Sequence, residues 1–247
     1  SDGRVLFAVP WKNYVVVGTT DTQVKKASEE PKALKEEVDF ILKNAGKYMS
    51  VKPKKDDIKS VFAGLRPLAA TSNKQSTKEV SRSHKIDISP SGLISVLGGK
   101  WTTYRKIAED ALNTAISINK LKKKKCKTER TKLFGFKRNV SWSDPMHVYG
   151  SLKKKVESLG GINDNKSLSN KFYISNNIIE WSIIHEMALT VEDILARRTR
   201  CVFLDSKESQ RIAPIVAQKM ADVLGEDDKW IDAELKKFNK LIKNYIV

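Results

Sequence analysis

The chain has 247 residues, 40% hydrophobic and 30% charged, with a formal net charge of +17, the balance of a folded protein of one or two domains rather than a disordered one. No run approaches the roughly 18 apolar residues of a membrane span, and no signal-peptide pattern opens the sequence. Charge is uneven, ten Lys/Arg against one Asp/Glu over 117–140 but sixteen against fifteen over 141–247, so the second region is a poor candidate for wrapping nucleic acid.

In chain order, residues 4–21 read as a β-hairpin. Val5, Phe7 and Val9 alternate before Lys12-Asn13, and Val15 to Val17 return toward Gly18. Leu34, Val38, Ile41, Leu42 and Ala45 form a helical stripe within 31–48. Strands are expected at 60–65, 85–89 and 93–97, the last two joined by the turn Ser89-Pro90-Ser91-Gly92. A helix follows over 102–118, with Ile107, Ala111, Leu112 and Ala115 on one face. Residues 119–143 are basic and turn-rich, a connector.

Beyond it the pattern is all-helical. Helices are expected at 145–159, ending at Gly160-Gly161, and at 177–189. A third opens at Thr190, with Asp193 placed for a capping-box variant. Ile212, Val216, Met220 and Val223 mark a fourth that stops at Gly225. Ile231, Leu235, Phe238, Ile242 and Tyr245 mark a fifth. The fold class is α+β: an antiparallel-strand region with one helix over 1–118, the connector 119–143, and an all-α domain of about five helices over 144–247. Cys126 and Cys201 share no metal or redox spacing, and free thiols in a reducing cytosol are expected.

The most informative stretch is Gly98-Gly99-Lys100-Trp101-Thr102-Thr103-Tyr104-Arg105-Lys106, between an apolar strand and an amphipathic helix. Two glycines let the backbone lie against a flat ligand. The helix N-terminus behind them presents unpaired amides and a positive dipole end, suited to a phosphate or to a ring edge that gains negative charge. Taken alone, a plain glycine turn explains the stretch equally well.

With its neighbours in order, the stretch says more. Gly18-Thr19-Thr20-Asp21, Gly64-Leu65-Arg66-Pro67-Leu68, Ser81-Arg82-Ser83-His84 and, downstream, His185-Glu186-Met187-Ala188-Leu189-Thr190 through Arg197-Arg198-Thr199-Arg200 closely resemble the C-terminal portion of the FAD-dependent, quinone-linked glycerol-3-phosphate dehydrogenases. The likeness runs over nearly the whole chain and is weakest over about 117–175. It implies that 1–118 is the substrate-side sheet, closed by one flavin-side helix. It also implies hydride transfer from glycerol 3-phosphate to FAD, with quinone as electron acceptor at the inner face of the cytoplasmic membrane. No Gly-x-Gly-x-x-Gly follows an early strand, so the sequence reads as a C-terminal fragment, expected to be inactive and not to bind FAD tightly.

The resemblance assigns roles by position. Arg66 and Arg82 face the substrate, one toward the phosphate, whose dianion suits bidentate guanidinium donors; Pro67 biases Arg66 to extended backbone. Lys100 sits beside flavin and substrate oxygen, where it stabilises negative charge as hydride leaves. Gly98, Gly99, Lys100, Thr102 and Thr103 are the cofactor-binding set, and no metal is implied. Thr19-Thr20-Asp21 either lines the pocket or caps a turn. His84 is not assigned as the base, because the family pattern has an acid where Ser83 stands and its stronger candidates lie outside this sequence. Arg197, Arg198 and Arg200 read as anchors of a rigid seam, with Glu186 and Glu192 nearby.

The lysines after Ile118 have three readings: a solvated linker, a contact with anionic lipid, or a salt-dependent nucleic-acid patch. The rival function is a nucleic-acid-binding module with a helix-turn-helix over 183–200; acids at the start of its second helix count against it. A third reading makes the helical domain an interaction module, for homodimerisation or acceptor docking, and is compatible with the enzyme.

Overall fold

The structure, a computed structural model, describes residues 5–66 and 84–247. Its contacts divide the chain into two compact units: Ser1–Thr22 with Lys26–Gly64 and Gly135–Val247, and Gln23–Lys25 with Leu65–Phe134. The connector expected at 119–143 is therefore shared between them.

The first unit opens with β1 (Phe7–Trp11) and β2 (Tyr14–Gly18), an antiparallel hairpin in which Trp11 faces Tyr14. Helix α1 (Lys35–Ala45) starts where Glu37 accepts the Leu34 amide at 3.0 Å. Thr20 and Thr22 donate to the same carboxylate at 2.9 and 2.6 Å. Burial pushes the Glu37 carboxyl up, but these three bonds outweigh it and hold the group below its ordinary range.

The strand expected at 60–65 is not formed. A strand needs a ladder partner, and here the extended chain is spent on single anchors. Val61 N–H donates to Tyr245 O at 2.9 Å, Lys59 O accepts from Ser206 N–H at 3.0 Å, and Phe62 meets Phe203 edge to face.

The helix expected at 145–159 is also interrupted. Gly150 adopts φ +52, where a Cβ would strike the Gly135 carbonyl oxygen, so the stretch becomes a 3₁₀ run, His147–Leu152, followed by α3 (Lys153–Glu157).

Beyond these, second-half helices stand close to where their apolar stripes placed them. Helix α4 spans Asn176–Glu186 and ends at Met187 in the left-handed conformation. The predicted capping box is present. Thr190 Oγ1 accepts the Asp193 amide and Asp193 accepts the Thr190 amide, each at 3.0 Å. It leads into one π-helical stretch, Asp193–Arg198, closed by Thr199 N–H on Ile194 O. After α5 (Cys201–Leu204), α6 (Ser206–Leu224) begins at Asp205, which caps the Glu208 amide, and stops at Gly225 with φ +76. Helix α7 (Asp228–Ile242) is capped by Asp227.

These helices enclose a continuous core that includes Ile179, Val191, Ile194, Val202, Ile212, Met220, Phe238 and Ile242, with Trp11 and Tyr14 of the hairpin packed against it. The N-terminal hairpin thus belongs with the C-terminal helices. A smaller cluster joins Met146, Val156, Ile178 and Trp181.

The second unit has a simpler build. Strands β3 (His84–Ile88) and β4 (Ile94–Gly98) pair antiparallel across a turn at 89–93, and a short 3₁₀ turn, Trp101–Thr103, leads into α2 (Tyr104–Ile118). None of its described residues is buried. The chain is α+β, and among the described residues the strands form two two-stranded hairpins. Among the described residues no helix is long and apolar enough to cross a membrane.

Candidate functional site

The predicted cofactor set lies together at the end of β4 in the second unit. Gly98 has φ +69 and Gly99 φ +90, the left-handed region that favours glycine. A Cβ on Gly99 would lie 2.7 Å from Ile107 Cδ1 and 3.3 Å from His84 Cβ, so these two side chains pack closely over the glycine, while the backbone angle is what favours it there. Lys100 follows in extended conformation and is exposed.

The first hydrogen bonds of the helical run close on Lys100. Thr103 N–H and Thr103 Oγ1 both donate to the Lys100 carbonyl, at 3.0 and 2.9 Å. Both donors of Thr103 are thus used inside the turn. Thr102 is exposed, and the amides ahead of Thr103 stand at the N-terminal end of the run, where helix geometry leaves them without internal acceptors.

Trp101, 88% exposed, stacks on Tyr104 with ring centroids 5.8 Å apart. Arg66 belongs to the same unit and is exposed. Arg82 lies outside the described residues.

The remaining sequence candidates settle elsewhere. Thr20 serves the start of α1 through Glu37. His147 takes a contact with the Asp144 carbonyl at 2.7 Å, and His185 lies against the Trp181 ring at 4.0 Å. His84 Nε2 is 3.1 Å from Asp110 Oδ2 on α2. Sequence inspection missed that partnership, because the two residues stand 26 apart and no motif joins them.

Of the three arginines expected to anchor a seam, Arg198 makes a tie between elements. Arg198 donates through Nε and Nη2 to the Glu186 carbonyl at 3.0 and 2.6 Å, tying the end of α4 to the π-helical stretch. Arg197 pairs with Glu192 and Asp193. With one π-helical turn and these arginines engaged, 190–200 offers no continuous recognition helix of the kind the nucleic-acid reading requires. The lysines at 120 and 122–125 are exposed. Cys126 and Cys201 are both free, and burial pushes the Cys201 thiol up to about 11.

A second polar grouping went unseen in the sequence. Around an open depression of about 390 Å³ lined by Ser167, Leu168, Ser169, Asn170 and Arg211, Glu208 accepts from Arg211 at 2.7 and 3.0 Å and from Ser169 at 2.6 Å. Lys171 pairs with the buried Asp205 at 3.0 Å. The Arg211 guanidinium, chiefly, holds the Glu208 carboxyl down to about 2. Every charge named here has its opposite, so the grouping ties the start of α6 to the 167–171 loop rather than presenting a free ion to a ligand.

Fold and turn define an α+β protein in which a strand, a double-glycine turn with a lysine, and a helix are joined in one chain to a helical domain. The chain belongs to the family of the C-terminal domain of alpha-glycerophosphate oxidase, whose model matches residues 94–231. It is 32% identical over 98% of its length to the mitochondrial glycerol-3-phosphate dehydrogenase of Bos taurus, and 31% identical over 98% to that of Homo sapiens. It is 34% identical over 99% to the probable mitochondrial glycerol-3-phosphate dehydrogenase of Dictyostelium discoideum. It spans 36% of the bovine and human proteins and 42% of the Dictyostelium one.

Proposed function

We propose that this chain is the substrate-side and helical part of an FAD-dependent enzyme that oxidises sn-glycerol 3-phosphate to dihydroxyacetone phosphate and passes the electrons to quinone. The observation that carries the reading is the pair of left-handed glycines ahead of Lys100 at a helix N-terminus. Such a corner, free of Cβ atoms, fits the edge of a flat ring and offers it amide hydrogens.

When bound, FAD supplies the hydride acceptor at N5. Gly98 and Gly99 would let the backbone approach it, and Thr102 and Thr103 with the first-turn amides would hold its pyrimidine edge. The Lys100 ammonium would stabilise the negative charge that grows on the ring as it receives hydride from the carbinol carbon. Arg66 and Arg82 face the substrate, one of them toward its phosphate.

The exposed apolar side chains of this unit, Trp101 among them, are then covered by the part of a whole enzyme that the chain does not span. Because the relatives are named as mitochondrial, the quinone-bearing membrane it touches peripherally is better sought in the mitochondrion than at the cytoplasmic membrane. The helical domain serves dimerisation or acceptor docking.

The test is Arg66→Ala in the whole enzyme. Loss of one charge-assisted pair to the substrate should lower kcat/KM by about 10²-fold, and an unchanged kcat/KM removes Arg66 from the site.

A further inference from the structure

His84 opens β3 and stands in register with Gly98, the last residue of β4. Its Nε2 reaches Asp110 Oδ2 on α2 at 3.1 Å, and the other oxygen of Asp110 accepts from Lys106 Nζ at 2.7 Å. Its Cβ forms one wall of the glycine turn, opposite Ile107. The register partner of Gly98 thus stands beside Gly99, its Cβ 3.3 Å from where a Gly99 Cβ would lie, and reaches a carboxylate in the second turn of α2. The charged group facing it from α2 is Asp110, with Lys106 beside it; Gly98, facing it from β4, carries none.

We propose that His84 is a positioning residue: its bond to Asp110 fixes the Gly98-Gly99-Lys100 turn against α2 and so sets where the Lys100 ammonium stands. The inference rests on the charge-stabilising role proposed for Lys100. Two successive glycines have no side chains with which to hold their own conformation, so the turn needs a clamp from outside. The imidazole fills that place with Nε2 as donor to the carboxylate, a role open to the neutral Nε2–H tautomer and to the imidazolium. Because Nε2 is spent on Asp110, it is not free to take the substrate proton. A shift of about 1 Å in a charge-stabilising group costs on the order of 10²-fold in rate, so a clamp outside the reacting shell has a kinetic signature.

The experiment is a double-mutant cycle in the whole, flavin-loaded protein, reading kcat and KM. His84→Phe should lower kcat about 10- to 100-fold while KM stays within about twofold. His84→Gln, whose amide nitrogen falls where Nε2 lies, should recover most of the loss. In a Lys100→Met background His84→Phe should cost no more than about twofold further.

Equal losses from His84→Phe in both backgrounds, or a His84→Gln variant as slow as His84→Phe, overturn the proposal. If His84→Phe does not fold, Asp110→Ala completes the same cycle from the other side of the bond. A Lys100→Met variant with unchanged kcat defeats the Lys100 reading itself, whereas a slow Lys100→Met without coupling to His84 defeats only the clamp.

Discussion

The two units hold their secondary structure in different ways. In the first, α4, α6 and α7 with the π-helical stretch enclose fully buried aliphatic and aromatic side chains, and even the N-terminal hairpin sends Trp11 and Tyr14 to that core. In the second, a two-stranded hairpin and one 15-residue helix carry the Gly98–Lys106 stretch without a buried side chain among the described residues. Isolated hairpins and helices of that size are marginal in water. The i,i+4 pairs Arg105–Glu109 and Lys106–Asp110 on α2 add only a few tenths of a kcal/mol each. Stability and the candidate site are therefore housed apart: one unit is built to stay folded, the other presents a turn.

Core truncation should break that comparison most visibly. Phe238→Ala, at a position 2% exposed, should destabilise by about 3–5 kcal/mol in urea denaturation. Measured in this 247-residue chain, Leu112→Ala, at a position 64% exposed on α2, should stay within about 0.5 kcal/mol. Comparable losses at the two sites would erase the distinction.

Acid should sharpen it. The Glu208 carboxyl is lowered from 4.5 to about 2, so its contribution is fully present above pH 4.5 and disappears as pH falls through about 2. Allowing for the exposed Arg211 partner, roughly 2 kcal/mol should be lost over that window. Glu208→Gln should flatten the pH dependence of the first unit there, and an unaltered acid profile would contradict the assignment.

Legibility from sequence divides along the same line. Helix positions in the second half were legible because Ile212, Val216, Met220 and Phe238 recur at the helical period and because Thr190, Asp193 and Gly225 are local signals. The break at Gly150 was not legible, since it depends on the approach of Gly135 from 15 residues away. Residues 60–65 look like a strand because Val61 and Phe62 are apolar, yet their partners, Tyr245 and Phe203, are set only by the tertiary fold. At the candidate site, the glycines announced their backbone angles and the lysine its place after them. The His84–Asp110 bond was invisible, because a hairpin register and a helix phase have to coincide to create it. The Thr103 bonds were not legible either: its hydroxyl and amide both donate to the Lys100 carbonyl, which depends on the extended backbone at Lys100.

The measurement that bears most directly on the whole account is the rate of flavin reduction by saturating glycerol 3-phosphate in a Lys100→Met variant of the whole enzyme, followed by stopped-flow absorbance. If the ammonium stabilises the charge the flavin gains with hydride, reduction slows by about 10²-fold or more while the oxidised flavin stays bound. A Lys100→Met enzyme that reduces its flavin at the wild-type rate would remove the glycine turn from the chemistry.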